Sequence, residues 1–160
     1  MLTQTRLKEV LDYDPSTGVF TRRIKQTGVK QGRVSGSLSN EGYLVTSIDQ
    51  KNYKCHRLAW LYVTGSWPQG QIDHINGQRN DNRFDNLRDV AKQQNMENQR
   101  KAQRHNKSTS VLGTWKNGSG YAARISHDKS KIYLGTFKTL AEASAAYIAA
   151  KRLLHVGCTI

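Results

Sequence analysis

The chain of 160 residues is poor in several residue types, and each shortage excludes a class of protein. Its two cysteines, Cys55 and Cys158, lie far apart and form no CxxC pair, so neither a disulfide framework nor a zinc knuckle is indicated. No apolar run approaches the roughly 20 residues of a membrane-spanning helix, and no signal peptide opens the chain. We therefore expect a cytoplasmic protein with reduced thiols and no membrane partner.

Acidic residues are also scarce. The 12 Asp and Glu residues stand against 25 Lys and Arg residues, which gives a formal net charge of +13 and a pI near 10.0. A positive field of this size favours a polyanionic partner, and nucleic acid is the commonest one. The length suits one or two small domains.

The most informative stretch covers residues 71–98 and reads QIDHINGQRNDNRFDNLRDVAKQQNMEN. An isoleucine flanks the Asp73-His74 pair on each side, and the Asn-Gly pair that follows is a strong tight-turn signal. This pattern predicts a hairpin whose first strand holds Asp73 and His74. Apolar residues after residue 86 recur at roughly helical spacing, which predicts a helix from Asp89, its N-cap, to about Arg104.

These residue types suit the hydrolysis of a phosphodiester bond, which needs a base for the attacking water and positive charge for the leaving oxygen. His74 suits the base role because an unperturbed imidazole titrates near pH 6.5. An amide oxygen such as that of Asn86 could hold its other ring nitrogen in one tautomer. Asp73 and Asn95 offer hard oxygen ligands, which favour Mg²⁺ or Mn²⁺ over zinc. Asn98, three residues on, could exchange roles with Asn95.

The pattern DHINGxxxDNRxxNLRxVxxxxNxxN resembles the HNH (ββα-metal, His-Me finger) endonucleases, especially the homing endonucleases of phages and introns. The resemblance implies that Asp73 is the first metal ligand, His74 the general base, Asn86 the residue that orients the base, and Asn95 the ligand on the helix. Many relatives carry histidine where this chain has Asn95, which favours a single Mg²⁺, with Mn²⁺ as the alternative. The segments HRLAW and YDPSTGVFT also resemble the N-terminal part of phage members.

Two residues near this pattern are interpreted as structural. Asn82 belongs to a polar segment rich in turn-forming residues, so we expect it to serve the loop. His56 stands beside the apolar residues of HRLAW, where a satisfied structural histidine is the commoner case. Neither residue is therefore assigned to the site.

Flanking segments predict helices and a hairpin around the site. A helix is expected over Leu2–Tyr13, and a second over Lys54–Val63, closed by Gly65. The Asn-Glu-Gly signal at residues 40–42 predicts a turn between strands Ser35–Ser39 and Tyr43–Ile48.

Two basic segments are candidates for contacts with DNA phosphates. One lies between residues 22 and 33 and contains no acid; a solvated loop is the alternative interpretation. The other follows the predicted catalytic helix and has the composition of a linker, with charges that would suit a DNA groove. Their predicted DNA-binding residues are Arg22, Arg23, Lys25, Arg100, Lys101 and Arg104.

Residues 106–160 form a pattern of their own, a three-stranded meander followed by a helix over Leu140–Leu154 with Thr139 as its cap. The segments VLGTWKNGSGYAARI and YLGTFKTLAEASAAY resemble the ethylene-response-factor type of DNA-binding domain, found in plant transcription factors and appended to phage HNH nucleases. The resemblance implies a sheet that lies in the major groove. The candidate DNA contacts on its strands are Trp115, Lys116, Tyr121, Arg124, Lys131 and Tyr133. Strand alternation permits only some of them to face DNA.

The sequence thus predicts an α+β protein. A ββα-metal HNH nuclease domain with a β-rich N-terminal extension would cover residues 1–105, with its core at about 71–104. A small three-stranded antiparallel sheet packed on one helix would cover residues 106–160. The expected activity is a homing-type, metal-dependent endonuclease that nicks double-stranded DNA, since one metal site cuts one strand; a homodimer could cut both. The alternatives are a non-catalytic, sequence-specific DNA-binding regulator with an HNH-like fold and, less favoured, an RNA-binding protein.

Overall fold

The computed structural model describes residues 1–24, 30–102 and 106–159. They form a mixed α+β protein whose paired strands are all antiparallel, as the sequence predicts. The chain divides into two compact units, Met1–Lys92 and Gln93–Ile160. This division falls before the expected domain boundary near Asn106, so Asn95 belongs to the second unit.

The first unit contains small sheets and two helices. Its elements are α1 (Gln4–Val10), β1 (Leu11–Asp14), β2 (Val19–Arg22), β3 (Val34–Ser35), β4 (Ser37–Leu38), β5 (Leu44–Ile48), β6 (Lys51–Lys54), α2 (Cys55–Thr64), β7 (Gln71–His74), a 3₁₀ turn (Phe84–Asn86) and β8 (Leu87–Val90). The sheets have the strand orders β1-β2-β3, β4-β5-β6 and β7-β8.

The predicted N-terminal helix is correct only as far as Val10. From Leu11 to Asp14 buried and exposed residues alternate, and this segment pairs with β2 instead. A period of two suits a strand with one buried face, which is why the helix ends there. The second predicted helix is confirmed as α2, and Gly65 ends it in the left-handed conformation at φ +80°.

The predicted strand over Ser35–Ser39 is divided at Gly36, whose φ of +132° suits glycine. The part before Gly36 pairs with β2, and the part after it pairs with β5. The turn predicted at residues 40–42 is present, because the Gly42 N–H donates to the Ser39 carbonyl at 2.8 Å.

The predicted hairpin that carries Asp73 and His74 is formed by β7 and β8, in which Asp73 pairs with Arg88 and His74 with Leu87. Asp89 is not a helix N-cap, as the sequence suggested. It lies in β8, and its carboxylate accepts hydrogen bonds from the backbone N–H groups of Gln69 and Gly70, both at 2.8 Å.

A third helix, α3 (Lys92–Glu97), begins later than predicted and ends well before residue 104. Its first residue belongs to the first unit and the rest to the second unit. The hairpin and this helix follow one another in the predicted order, while their arrangement as a ββα-metal fold remains a prediction.

A hydrophobic core in the first unit supports the segment between β7 and β8. Its buried side chains come mainly from α1, α2, β1 and β2 and include Leu7, Phe20 and Leu58. The Tyr13 ring stacks on Phe20 at 4.6 Å, and its hydroxyl donates to the Asn82 carbonyl at 2.7 Å. The core thereby holds the loop that contains Asn82.

The second unit has a sheet of order β11-β10-β9, which α4 (Leu140–Leu154) covers on one face. Its strands are β9 (Thr114–Asn117), β10 (Gly120–His127) and β11 (Ser130–Phe137). The predicted meander and helix are therefore present. Thr139 caps α4 as predicted, since its side chain accepts from the Glu142 N–H while the Glu142 carboxylate accepts from the Thr139 N–H. Within the described ranges, no helix has the length and apolarity needed to cross a bilayer.

A substitution at Gly18 tests how closely the turn at Gly18 packs against the loop around Asn82. A Cβ at Gly18 would lie 2.4 Å from the Arg83 nitrogen, whereas a Cβ at Gly32 would meet nothing within 4 Å; both glycines have φ near +75°, at +73° and +77°. We expect Gly18→Ala to lower the free energy of unfolding by about 1–3 kcal/mol more than Gly32→Ala, because only the first adds overpacking to backbone strain. Equilibrium urea unfolding measures both. Equal losses would show that the close approach is not maintained in solution.

Candidate active site

His74 is the last residue of β7, and its side chain is buried, with 4% of its surface exposed. Its Nε2 lies 3.4 Å from the Asn82 side-chain oxygen. The rings of His56 and Tyr43 lie 5.0 Å and 6.0 Å from the His74 ring, between centroids. The imidazole is thus enclosed by a strand, a helix and a loop of the first unit.

The surroundings of His74 favour its neutral form. Burial lowers the pKa of His74 below its ordinary value, while the Asn82 hydrogen bond and the negative charges of Asp73 and Asp81 partly oppose this effect. A neutral imidazole has a lone pair that can accept a proton. The side chain therefore has the protonation state that a general base needs at neutral pH.

Asp73 precedes His74 and is almost as deeply buried, with 6% of its surface exposed. Its Oδ2 accepts two hydrogen bonds from Arg88, from Nε at 2.9 Å and from Nη2 at 2.7 Å. Arg88 is its direct partner on β8, so the hairpin register itself sets this ion pair. The guanidinium fixes the orientation of the carboxylate, which is the only acidic side chain adjacent to His74 in the sequence.

Asn82, not Asn86, has the amide oxygen next to His74. The Asn86 amide instead holds the loop: its oxygen accepts from the Asn76 N–H at 2.9 Å, and its nitrogen donates to the Asp81 carbonyl at 2.8 Å. Asn82 was expected to be a loop residue only, yet its side chain is 2% exposed. Its Nδ2 is buried without a hydrogen-bond partner among the residues described.

Hydrogen bonds within the loop hold Asn82 in place. Asp81 accepts from the Asn76 side chain at 2.7 Å and from the Arg83 guanidinium at 2.7 Å. The Arg83 hydrogen bond is the largest of several effects that lower the pKa of Asp81 to about 2. Asp81 is thus ionised at neutral pH, and its contacts span both sides of Asn82.

His56 is a neighbour of His74 that the sequence interpretation left out. It lies in the first turn of α2, 5% exposed, and packs between His74 and Tyr43, whose ring centroid is 5.0 Å away. The interpretation as a satisfied histidine is wrong, because its Nδ1 is buried without a partner in the described part of the chain. Burial is the main cause that lowers the pKa of His56 to about 3, so the ring is neutral.

The predicted ligands on the helix lie in the second unit. Asn95 is half-buried on α3, and Asn98 follows this helix and is buried. The Thr159 hydroxyl donates to the Asn98 side-chain oxygen.

The predicted phosphate contacts outside the sheet differ in exposure. Arg22 is 8% exposed and donates to the Thr46 hydroxyl and the Ser47 carbonyl, so we do not retain it as a DNA contact. Arg23 and Lys101 are exposed, and Arg100 donates to Thr159 at the surface. Lys25 and Arg104 lie outside the described residues.

The sheet of the second unit divides its six predicted DNA contacts between two faces. Residues directly opposite each other in an antiparallel pair project to the same side. The register Ala122 with Trp115, Arg124 with Tyr133 and Ser126 with Lys131 therefore groups four candidates on one face. That face carries Trp115, Arg124, Lys131 and Tyr133. Lys116 and Tyr121 are directly opposite each other and project to the other side, where Tyr121 packs against the core.

The open face combines aromatic rings with a cation. The Arg124 guanidinium carbon lies 5.4 Å from the centre of the Trp115 ring, and the Tyr133 ring lies 6.3 Å from that of Trp115. Arg124 and Tyr133 are both exposed, Tyr133 with 57% of its surface. An exposed cation supported by aromatic rings across three strands is chemically suited to a nucleic-acid surface.

A comparison with known families bears on the region around His74. Residues 53–97 match the model of the HNH endonuclease family. No curated protein sequence and no solved structure matched the chain. The matched stretch includes His56, Asp73, His74, Asn82 and Asn95, and it supports an HNH nuclease domain in this part of the chain.

The buried neutral His56 predicts a loss of stability in mild acid. The unfolded chain protonates this histidine near pH 6.5, whereas the folded chain does so only near pH 3, so the unfolded state binds more protons between these values. The free energy of unfolding should therefore fall by up to about 1.4 kcal/mol per pH unit for this residue as pH drops from about 6.5 to about 5.

The comparison variant is His56→Gln, measured by urea unfolding at several pH values without divalent metal. Its pH slope should be shallower than that of the unsubstituted protein, whatever its absolute stability. An unchanged slope would mean that His56 is not buried in its neutral form.

Proposed function

We propose that this protein is a metal-dependent HNH endonuclease that hydrolyses a phosphodiester bond in double-stranded DNA. The observation that carries this proposal is the buried, neutral His74 beside Asp73 and Asn82, within the stretch that matches the HNH family. A neutral histidine next to a carboxylate and an amide is what general-base hydrolysis requires.

His74 would take the proton from the attacking water. The Asn82 side-chain oxygen accepts hydrogen bonds only, so in their contact His74 Nε2 donates and carries the ring proton. The lone pair then belongs to Nδ1, which serves as the base. Asn82 is a positioning residue in this scheme, because it selects the tautomer and fixes the plane of the ring.

Asp73 is the proposed metal ligand on the hairpin, and Asn95 is the ligand on the helix that the resemblance to HNH nucleases implies. The donor chemistry fits Mg²⁺, with Mn²⁺ as the alternative, because a carboxylate and an amide oxygen are hard ligands. The Arg88 ion pair engages Asp73 Oδ2 and orients the carboxylate at the end of β7. When bound, the metal would supply positive charge for the scissile phosphate and its leaving oxygen.

The second unit would bind the target duplex with the open face of its sheet, through Arg124, Lys131 and the rings of Trp115 and Tyr133. The exposed Arg23 and Lys101 add positive charge to a chain with a net charge of +13. We infer an ethylene-response-factor type of DNA-binding domain here and a homing-type enzyme overall. One nuclease site per chain would make a nick the primary product.

A DNA-binding regulator without nuclease activity is the second candidate. The observation that favours it is the Arg88–Asp73 ion pair, in which a protein cation already engages the carboxylate proposed for the metal, at 2.7 Å. Such a pair would suit a fold in which the hairpin has become purely structural.

Incubation of the full chain with supercoiled DNA that contains its target distinguishes the two functions. We expect Mg²⁺-dependent conversion to open circles, abolished by EDTA and slowed about 100-fold or more in His74→Ala, because general-base catalysis contributes that much. Asp73→Asn should be similarly impaired. Asp85→Asn is the matched control, since Asp85 is an exposed carboxylate in the segment between β7 and β8.

Binding is measured in parallel to separate affinity from chemistry. The proposal requires that His74→Ala still binds the duplex as tightly as the unsubstituted protein. Tight binding without cleavage by the unsubstituted protein, in Mg²⁺ and in Mn²⁺, would contradict the nuclease and support the regulator.

A further inference from the structure

We propose that the second unit carries a separate binding site for a zinc-type divalent cation, formed by Glu97, His127 and His155. It requires neither the nuclease activity nor DNA binding. One ligand atom from each of the three side chains lies within 4.8 Å of the other two. Tetrahedral ligands about 2.1 Å from a zinc ion lie roughly 3.4 Å apart, so small side-chain rotations would complete the geometry.

The three residues are brought together by separate elements of this unit. Glu97 is the last residue of α3, His127 is the last residue of β10, and His155 directly follows α4. The turn after His127 has Asp128 and Lys129 at φ +45° and +65°, a two-residue hairpin turn. A cation bound at this point would link three elements and thereby stabilise the unit.

Contacts with oxygen atoms favour the same tautomer in both histidines. His155 Nε2 lies 2.8 Å from the Ser126 carbonyl oxygen, which can only accept, so Nε2 carries the proton. His127 Nε2 lies 3.3 Å from the Asp128 carboxylate, an ion-pair distance at which the negative charge favours a proton on the same nitrogen. Histidines that bind metals in proteins have this pattern, in which one ring nitrogen donates to an oxygen and the other is the ligand.

The other nitrogen of each ring has no hydrogen-bond partner in the described part of the chain. His127 Nδ1 and His155 Nδ1 are both buried and lack a hydrogen-bond partner among the described residues. The whole His155 side chain is 9% exposed. The two rings are neighbours, with 6.2 Å between their centroids. Since a buried polar atom without a partner costs free energy, these two nitrogen atoms point to a missing ligand.

The charge and chemistry of the cluster indicate a cation. Two imidazole lone pairs and the Glu97 carboxylate are all acceptors, so they repel one another unless a positive charge lies between them. The backbone N–H of Gly157 donates to Glu97 Oε2 at 3.2 Å and orients the carboxylate. Gly157 allows this approach, because a Cβ there would lie 2.3 Å from the Gln94 carbonyl oxygen.

The ligand set distinguishes this site from the one proposed for nuclease activity. Two imidazoles and one carboxylate suit Zn²⁺, which leaves a fourth position for water or another group. Mg²⁺ prefers oxygen ligands and is the ion expected at Asp73 and Asn95. A large excess of Mg²⁺ would therefore not displace zinc from the cluster.

Metal titration of the full chain tests the proposal. The protein is first stripped with a chelator and then titrated with Zn²⁺ in the presence of millimolar Mg²⁺. We expect one Zn²⁺ per chain and a rise in the melting temperature of the second unit. Co²⁺ in place of Zn²⁺ should produce the strong visible absorption of a four-coordinate ion.

Variants identify the ligands. Glu97→Gln and His127→Gln should each weaken Zn²⁺ binding by at least about 10-fold, as even outer contacts of metal ligands do. Both residues are partly exposed, so circular dichroism without metal is expected to show folded variants. Glu9→Gln, the same change at a carboxylate paired with Arg6 in the first unit, is the matched control and should bind normally.

Asp73→Asn should also bind Zn²⁺ normally, which separates this site from the nuclease site. The proposal would be overturned if the stripped chain took up no Zn²⁺, or if both Glu97→Gln and His127→Gln bound it as the unsubstituted protein does. Loss of binding in Asp73→Asn alone would also overturn it, since zinc would then occupy the nuclease site. If the stripped chain took up no Zn²⁺, a proton shared with Glu97 would instead satisfy the hydrogen-bonding capacity of the histidines.

Discussion

The buried imidazole of His74 determines which contacts the surrounding residues of the first unit must provide. His74 sits at the end of β7 with its ring enclosed by α2 and by the loop after the hairpin strand. Burial removes the water that would otherwise pair with both ring nitrogens, so the protein must provide its own contact and keep the ring neutral. Asn82 provides one such contact, because its side-chain oxygen lies 3.4 Å from His74 Nε2.

Several contacts within the first unit hold Asn82 in place. The Tyr13 hydroxyl binds its carbonyl, and Gly18 lets the neighbouring backbone approach too closely for any side chain. Asn86 and Asp81 fix the loop from within. Strand β1 and the turn that follows it thus position a residue more than sixty places later in the sequence.

Local patterns predicted the elements of the structure better than its contacts. The hairpin with Asp73 and His74, helix α2 and the sheet with its capped helix follow from short-range signals, and the structure contains all of them. The roles of His56 and Asn82 could not be predicted, because they depend on contacts between distant segments. Which asparagine, Asn82 or Asn86, lies next to His74 depends on how the loop folds, and in the sequence both are typical turn-forming residues. Glu97, His127 and His155 are likewise too far apart in the chain for any spacing rule to join them.

We propose that Asn82 holds His74 in the orientation of a general base. The experiment that tests this role is single-turnover cleavage of prebound duplex DNA by Asn82→Ala and Asn86→Ala, each compared with the unsubstituted protein. We expect Asn82→Ala to cleave at least about 10-fold more slowly at unchanged DNA affinity, because an orienting contact is lost. We expect a smaller effect on the rate for Asn86→Ala, which should mainly lower the stability of the loop. A slower rate in Asn86→Ala than in Asn82→Ala, or an unchanged rate in Asn82→Ala, would show that Asn82 does not orient His74.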